Sequence, residues 1–229
     1  MAQIDLSVVI PTLNAATHLK AILDALQVDH AALRVEIIVA DGDSSDGTAS
    51  IARTHGSKVI NVERGRGRQL HAGASVAVGT WLLFLHGDTR VASNWLQIVT
   101  EFVRTPGNTL RVAAFRLALD DDSDAARRLE RLVAWRCSRF RLPYGDQGLL
   151  VSRQMYQEIG GYYPLPFLED VDLVRRIGRS RIVMLDAVAM TSSERYRRSG
   201  YLRQGIRNIV LVALFFGGLS PERLTRFYR

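Results

Sequence analysis

The sequence has one cysteine, two lysines and no histidine after His86. Cys137 alone excludes an intramolecular disulfide and any cysteine-rich zinc site, and the expectation is a reducing compartment. The opening residues carry no basic segment and no apolar stretch of signal-peptide length, because the run at 6–10 stops at Pro11. The chain therefore reads as unexported and cytoplasmic. Long hydrophobic runs are missing too: the longest, residues 209–219, has eleven residues, against the roughly 20 that a membrane-spanning helix needs. Nor is the composition that of a disordered or low-complexity chain. Of 229 residues, 47% are hydrophobic and 23% charged, and these are ordinary globular values. The length fits one substantial domain, or one domain with an appendage.

What the sequence does have is arginine. Lys20 and Lys58 are the only lysines among 30 basic residues, and the net charge is +7. A basic surplus calls for an anionic partner, from acidic lipid or nucleic acid to a phosphate-bearing small molecule. Arginine, unlike lysine, grips phosphate with a two-pronged planar fork. No groove-reading motif accompanies it, so nucleic acid is not expected.

The first half alternates short β-branched runs with helical spacing. Strands are expected at 6–10, 35–40, 58–62 and 81–85, and helices at 16–26, 47–54, 67–78 and 94–103. Four such alternations imply an α/β fold, a Rossmann-like and mostly parallel sheet with helices on both faces. Farther along, 112–119 and 181–185 read as strands, 125–139 and 170–176 as helices, 148–151 as a short apolar run before a helix near Arg153, and 120–124 as an acidic turn. The expected organisation is one domain over 1–191 with a basic and apolar helical extension over 192–229.

Ligands of such sheets bind beyond the carboxyl ends of the strands. Four polar clusters lie there: Pro11-Thr-Leu-Asn14, Asp41-Gly-Asp-Ser-Ser-Asp-Gly-Thr48, Glu63-Arg-Gly-Arg-Gly-Arg68 and His86-Gly-Asp-Thr-Arg90. In the third, glycines let backbone N–H groups approach an anion at a helix start, so Arg64, Arg66 and Arg68 form a candidate diphosphate loop, with a solvated basic loop as the plain alternative. Asp46 reads as a cap of the helix at 47. Trp81, Trp95 and Trp135 read as core, Cys137 as a packing residue, and Asp172 as solvated.

Taken in order, Ser7-Val-Val-Ile-Pro-Thr-Leu-Asn14, Ile37-Ile-Val-Ala-Asp-Gly-Asp-Ser-Ser-Asp-Gly-Thr48, Leu83-Phe-Leu-His-Gly-Asp88 and Leu168-Glu-Asp-Val-Asp172 resemble the family 2 glycosyltransferases of the GT-A fold, over roughly residues 5–190. The chain is most similar to short bacterial members with His-x-Asp-Thr in place of Asp-x-Asp and a late Ser-Pro-Glu-Arg-Leu, here residues 220–224.

The resemblance implies a nucleoside diphosphate sugar donor, a UDP-sugar first, and a hydroxyl acceptor. It sets Pro11, Thr12 and Asn14 against base and ribose, with Asp41 on the base edge or ribose and Asp43 beside it. It sets His86 and Gly87 at the ribose and diphosphate, with Arg64 and Arg68 on the phosphates, and Asp88 as the ligand of Mn²⁺ or Mg²⁺. One aspartate suffices for a hard cation that takes its other ligands from phosphate and water. In the Glu-Asp pair, Asp170 is the implied general base and Glu169 its orienter or a contact to a sugar hydroxyl. Tyr144, Asp146 and Gln147, with Arg195, are the implied sugar or acceptor contacts. Ala15 departs from the glutamate the family often has there, and His86 from its aspartate.

Residues 195–229 hold eight arginines and one acid. Basic residues beside an apolar helix too short to span can lie in the interface of an anionic membrane; packing on the domain, or a homodimer, accounts for the apolar run equally well. The whole reads as an inverting, metal-assisted glycosyltransferase. The alternatives are a nucleotidyltransferase, and a nucleotide-sugar-binding or membrane-recruited module without turnover.

Overall fold

The computed structural model describes residues 4–27 and 33–228, without the side chains of 225–228. Strand β1 (Leu6–Thr12) is buried along its whole length because β2 (Val35–Asp41) and β4 (Trp81–Phe84) flank it, both parallel. A strand covered on both faces reads as an unbroken apolar run. Helices α1 (Ala16–Leu26), α2 (Thr48–Thr54) and α4 (Trp95–Arg104) share one core layer with Val8 and Ile10. Helices α3 (Arg66–Val76), α6 (Arg153–Glu158) and α7 (Glu169–Ile177) share the other with Val9, one residue along and so on the opposite face. Gly73 lets α3 lie close on β1, since a Cβ there would run into Val9.

With β3 (Lys58–Asn61), β5 (Thr89–Val91), β6 (Val112–Leu119), β7 (Leu149–Ser152) and β8 (Ile182–Thr191), the sheet has eight strands in the order β3-β2-β1-β4-β7-β6-β8-β5. Its first half is all parallel, as expected, whereas β7 runs antiparallel to both β4 and β6, and β5 antiparallel to β8. The strand expected at 181–185 continues to Thr191, where it pairs with Thr89. Strand β5 has three residues, too few for a pattern.

After β8 come α8 (Glu194–Ser199), α9 (Tyr201–Phe216) and α10 (Pro221–Tyr228). Leu211, Val212 and Phe215 of α9, with Leu224, pack on Phe167, Leu168 and Val171. The tail's apolar run thus has one face covered by the domain itself, and that face braces the start of α7. Along its other edge α9 lies against α5 (Asp124–Phe140). Two expectations are corrected. Trp81 and Trp95 are core, but Trp135 is 57% exposed on the outer side of α5. Asp172 is a half-buried partner of Arg176, whose guanidinium also donates to the carbonyls of Ile159 and Gly161.

Candidate functional site

The cleft beyond the carboxyl ends of β1 and β4 has a volume of about 610 Å³, within the usual range for small-molecule sites. Pro11, Thr12 and Asn14 form its floor at the end of β1. Asn14 adopts a left-handed φ of 50°, a conformation its short polar side chain tolerates, and its Oδ1 accepts from Ser45 N at 2.9 Å. The turn after β2 is thereby tied to the floor. Asp46 completes the tie by accepting from Ala16 N and, in an Asx turn, from Thr48 N, while Gly47 rather than Asp46 is the N-cap of α2.

Asp41 and Asp43 do not line the cleft. The Asp41 carboxylate is buried and accepts from Thr12 Oγ1 at 2.9 Å, Ser44 N at 2.9 Å and Ser44 Oγ at 2.6 Å. It holds Thr12 in place from beneath, a supporting part in place of the direct contact with base or ribose expected of it. Asp43 is exposed on the left-handed turn.

Of the three arginines in the glycine-rich loop, Arg64 and Arg66 line the cleft and Arg68 does not. Arg68 turns outward to pair with Glu63, so it leaves the set of phosphate contacts. Arg66 Nε pairs with Glu169 Oε1 at 2.5 Å and its Nη1 lies 3.4 Å from His86 Nε2. Glu169 has no exposed surface. It fixes Arg66 rather than touching a sugar or orienting Asp170, and burial raises its pKa against the pull of Arg66. Gly65, at φ 147°, opens α3 with no side-chain cap. Gln69, which sequence reasoning missed, donates at 2.7 Å to the carbonyls of both Thr12 and Ala40 and pins α3 to the two strand ends.

Opposite lie His86, Gly87 and Asp88 after β4. Burial, then the charges of Arg66 and Arg195, push the His86 pKa well below its ordinary value, so the imidazole is neutral. Asp88 is exposed, its backbone carbonyl accepting from Ser192 N at 3.1 Å. Gly145 sits between His86 and Asp170. Its N–H donates to Asp170 Oδ2 at 2.6 Å, and a Cβ on it would run into the His86 ring. Val171 N donates to the other oxygen of Asp170 at 2.8 Å. Asp170 follows Leu168, a non-glycine residue at φ 59° held in that left-handed conformation by the packing of α9.

The Tyr144 ring lines the cleft with the Arg136 guanidinium 3.6 Å above its centre. Asp146 also lines the cleft, and its Oδ1 is buried with no hydrogen-bond partner in the protein. Burial pushes its pKa up to about 6, opposed by Arg136 and reinforced by the charges of Asp170 and Asp88. Gln147 is not on the wall. It is 1% exposed, donating to Phe115 O at 3.0 Å and accepting from Arg136 Nη2 at 3.2 Å, so it props the turn from the core and is withdrawn as a sugar contact. Cys137, buried with Sγ 3.3 Å from Gln147 Oε1, packs there as expected. The helical tail closes the last side through Arg195, Tyr196, Gln204 and Asn208. The four-residue spacing of Gln204 and Asn208, a polar stripe in an apolar helix, was their available signal.

The sequence model described as Glycosyl transferase family 2 matches residues 7–161. The chain belongs to this family. Over 94 residues, 38% of this chain and 24% of the relative, it is 37% identical to a 4,4'-diaponeurosporenoate glycosyltransferase of Staphylococcus haemolyticus. Over 89 residues, 36% of this chain and 34% of the relative, it is 36% identical to a PGL/p-HBAD biosynthesis glycosyltransferase of Mycobacterium bovis. The matches thus span about a quarter to a third of these curated relatives. Among solved structures, the mannosyltransferase PcManGT of Pyrobaculum calidifontis, in complex with GDP-Man and Mn²⁺, superposes with a TM-score of 0.69 over 97% of this chain and 67% of that one at 19% identity. TarS 1-349 of S. aureus gives 0.67 over 96% and 68% at 16% identity. These likenesses establish the GT-A fold.

Proposed function

We propose that the protein transfers a sugar from a nucleoside diphosphate sugar to an acceptor hydroxyl, with inversion at the anomeric carbon. The observation that carries this reading is the polarity of the cleft. Arg64, Arg66, Arg195 and the uncapped start of α3 line the same cleft as the carboxylates of Asp88, Asp146 and Asp170. An arginine-rich helix N-terminus suits a diphosphate, and a carboxylate beyond it suits an acceptor proton.

In the proposed reaction the acceptor oxygen attacks the anomeric carbon as its proton passes to the carboxylate of Asp170, and the bond to the diphosphate breaks. The charge that develops on the leaving oxygens is met by Arg66, by Arg64 and Arg195, and by the N–H groups of α3. Arg66 is already fixed by Glu169, so little reorganisation is needed at the moment of bond cleavage. The neutral His86 offers hydrogen bonding without a charge, and Tyr144 and Asp146 face the sugar. Asp88 would hold Mn²⁺ or Mg²⁺ together with diphosphate oxygens and water. Among the described residues no group of three or more His, Cys, Asp or Glu is placed to hold a metal alone. The charges of Asp88 and Asp170 add to the burial that raises the Asp146 pKa, so a cation held by Asp88 would relieve that repulsion, and when bound it would neutralise the departing diphosphate.

PcManGT was solved with GDP-Man and TarS 1-349 with UDP-GlcNAc, so UDP- and GDP-sugars are the donors to test first. Release of nucleoside diphosphate from such donors, with Mn²⁺ and an alcohol or water as acceptor, reads the reaction directly. Asp170→Asn should slow it about a hundredfold to ten-thousandfold while leaving donor affinity intact. An unchanged rate would remove Asp170 from the proposed role.

A further inference from the structure

Helix α9 has two contrasting sides. One carries Gln204 and Asn208 to the cleft and Leu211, Val212 and Phe215 to the domain. On the reverse, Leu202, Ile206, Ile209 and Phe216 recur at spacings of four, three and seven and share one helix face, and they are exposed by 77, 53, 58 and 43%. Neighbouring α5 adds a second exposed apolar group. Leu132, Trp135 and Phe140 stand out from the domain, the Trp135 and Phe140 rings meeting edge to face with centres 5.4 Å apart.

Around these groups lie Arg128, Arg131, Arg139, Arg141 and Arg203, all exposed. Acid is absent from α9, and the two acids of α5 stand apart: Asp124 is at its first residue, and Glu130 turns inward to Leu119 N and Arg127. Exposed apolar patches of this kind mark interaction sites.

We propose that the outer faces of α5 and α9 dock on an anionic lipid bilayer. Arginines bordering a Trp- and Leu-bearing helix face match the charge and depth of a headgroup region, and no helix of the described residues is long and apolar enough to cross it. A second copy of the chain fits less well. A two-fold dimer sets the same patch against itself, and its five exposed arginines outnumber the acids at its edge, Asp121, Asp122 and Asp124, so that arginine would largely meet arginine. Docked in this way, α9 stands between bilayer and cleft, with Gln204 and Asn208 on the cleft side.

The test is flotation with phosphatidylcholine vesicles, with and without about a quarter of phosphatidylglycerol, together with tryptophan emission. Trp81 and Trp95 are buried, so a blue shift on vesicle addition reports Trp135. The full chain should float and shift only with the anionic vesicles, and lose both as salt is raised. The triple variant Leu202→Ser, Ile206→Ser, Ile209→Ser should partition about tenfold or more less with an unchanged melting temperature. No flotation of the wild type, flotation that ignores charge, or flotation the folded variant retains would overturn the proposal. So would a wild-type dimer that the same variant converts to monomer. Vesicle binding needs no turnover, so its failure would leave the transferase reading untouched.

Discussion

At the scale of the residue, the cleft depends on groups held where they are uncomfortable. The Asp146 carboxyl ionises near 3.8 in an ordinary setting and about 6 in the fold. The stability its protonated form lends is complete below pH 3.8 and is lost as pH rises through about 6. In metal-free protein, Asp146→Asn should therefore raise the melting temperature at pH 8, by a gain on the order of 2–3 kcal/mol, and the gain should vanish by about pH 4. Melting curves across that range check the sign, and a variant less stable at pH 8 would contradict it. Gly145 is required for closeness rather than for its backbone angles, because a Cβ there would meet His86 and the Asp170 carboxylate. Gly145→Ala should cost about 1–3 kcal/mol and slow donor cleavage by displacing both side chains, read by melting and by nucleotide release. Sequence reasoning brought Asp88, Asp146, Asp170, His86 and Arg195 to the cleft. It set Arg68 on the phosphates with Arg64 where the structure has Arg66, since the choice depends on where α3 begins, and the start at Arg66 turns that residue inward and Arg68 toward Glu63. Gln147 and Glu169 were polar residues in the right turns whose burial no local pattern announces.

At the scale of the element, the start of α7 is positioned by the chain's end. Phe215 packs with Phe167, Leu168 and Val171, directly beside Asp170. Phe215→Ala should cost about 3–5 kcal/mol and loosen that segment, so the rate of donor cleavage should fall more than donor affinity does; equal loss of both, or of neither, would separate α9 from the base. The parallel half of the sheet was legible because β1, β2 and β4 are continuous apolar runs followed by helical spacing. The antiparallel half was not, because β5 spans three residues and β7 four, and what defines them is the partner strand. The tail's run at 209–219 gave its helix but not its faces, which depend on which neighbour covers which side.

At the scale of the whole molecule, charge divides by region. Residues 1–110 hold nine basic and ten acidic residues, and 111–229 hold 21 and 13, so the basic surplus belongs to the part that carries α5 and the tail. Within the cleft, arginines and carboxylates share one lining, and the proposed donor site is built on that combination. Its most direct test is the melting temperature in the presence of uridine, guanosine, cytidine and thymidine diphosphates, each with and without Mn²⁺, for the wild type, Asp88→Ala and Arg66→Ala. At least one diphosphate should raise the melting temperature, more so with Mn²⁺; Asp88→Ala should remove the Mn²⁺ increment, and Arg66→Ala should weaken the shift with or without metal. If no diphosphate shifts the wild type, or both variants keep the full wild-type shift, the cleft is not a donor site.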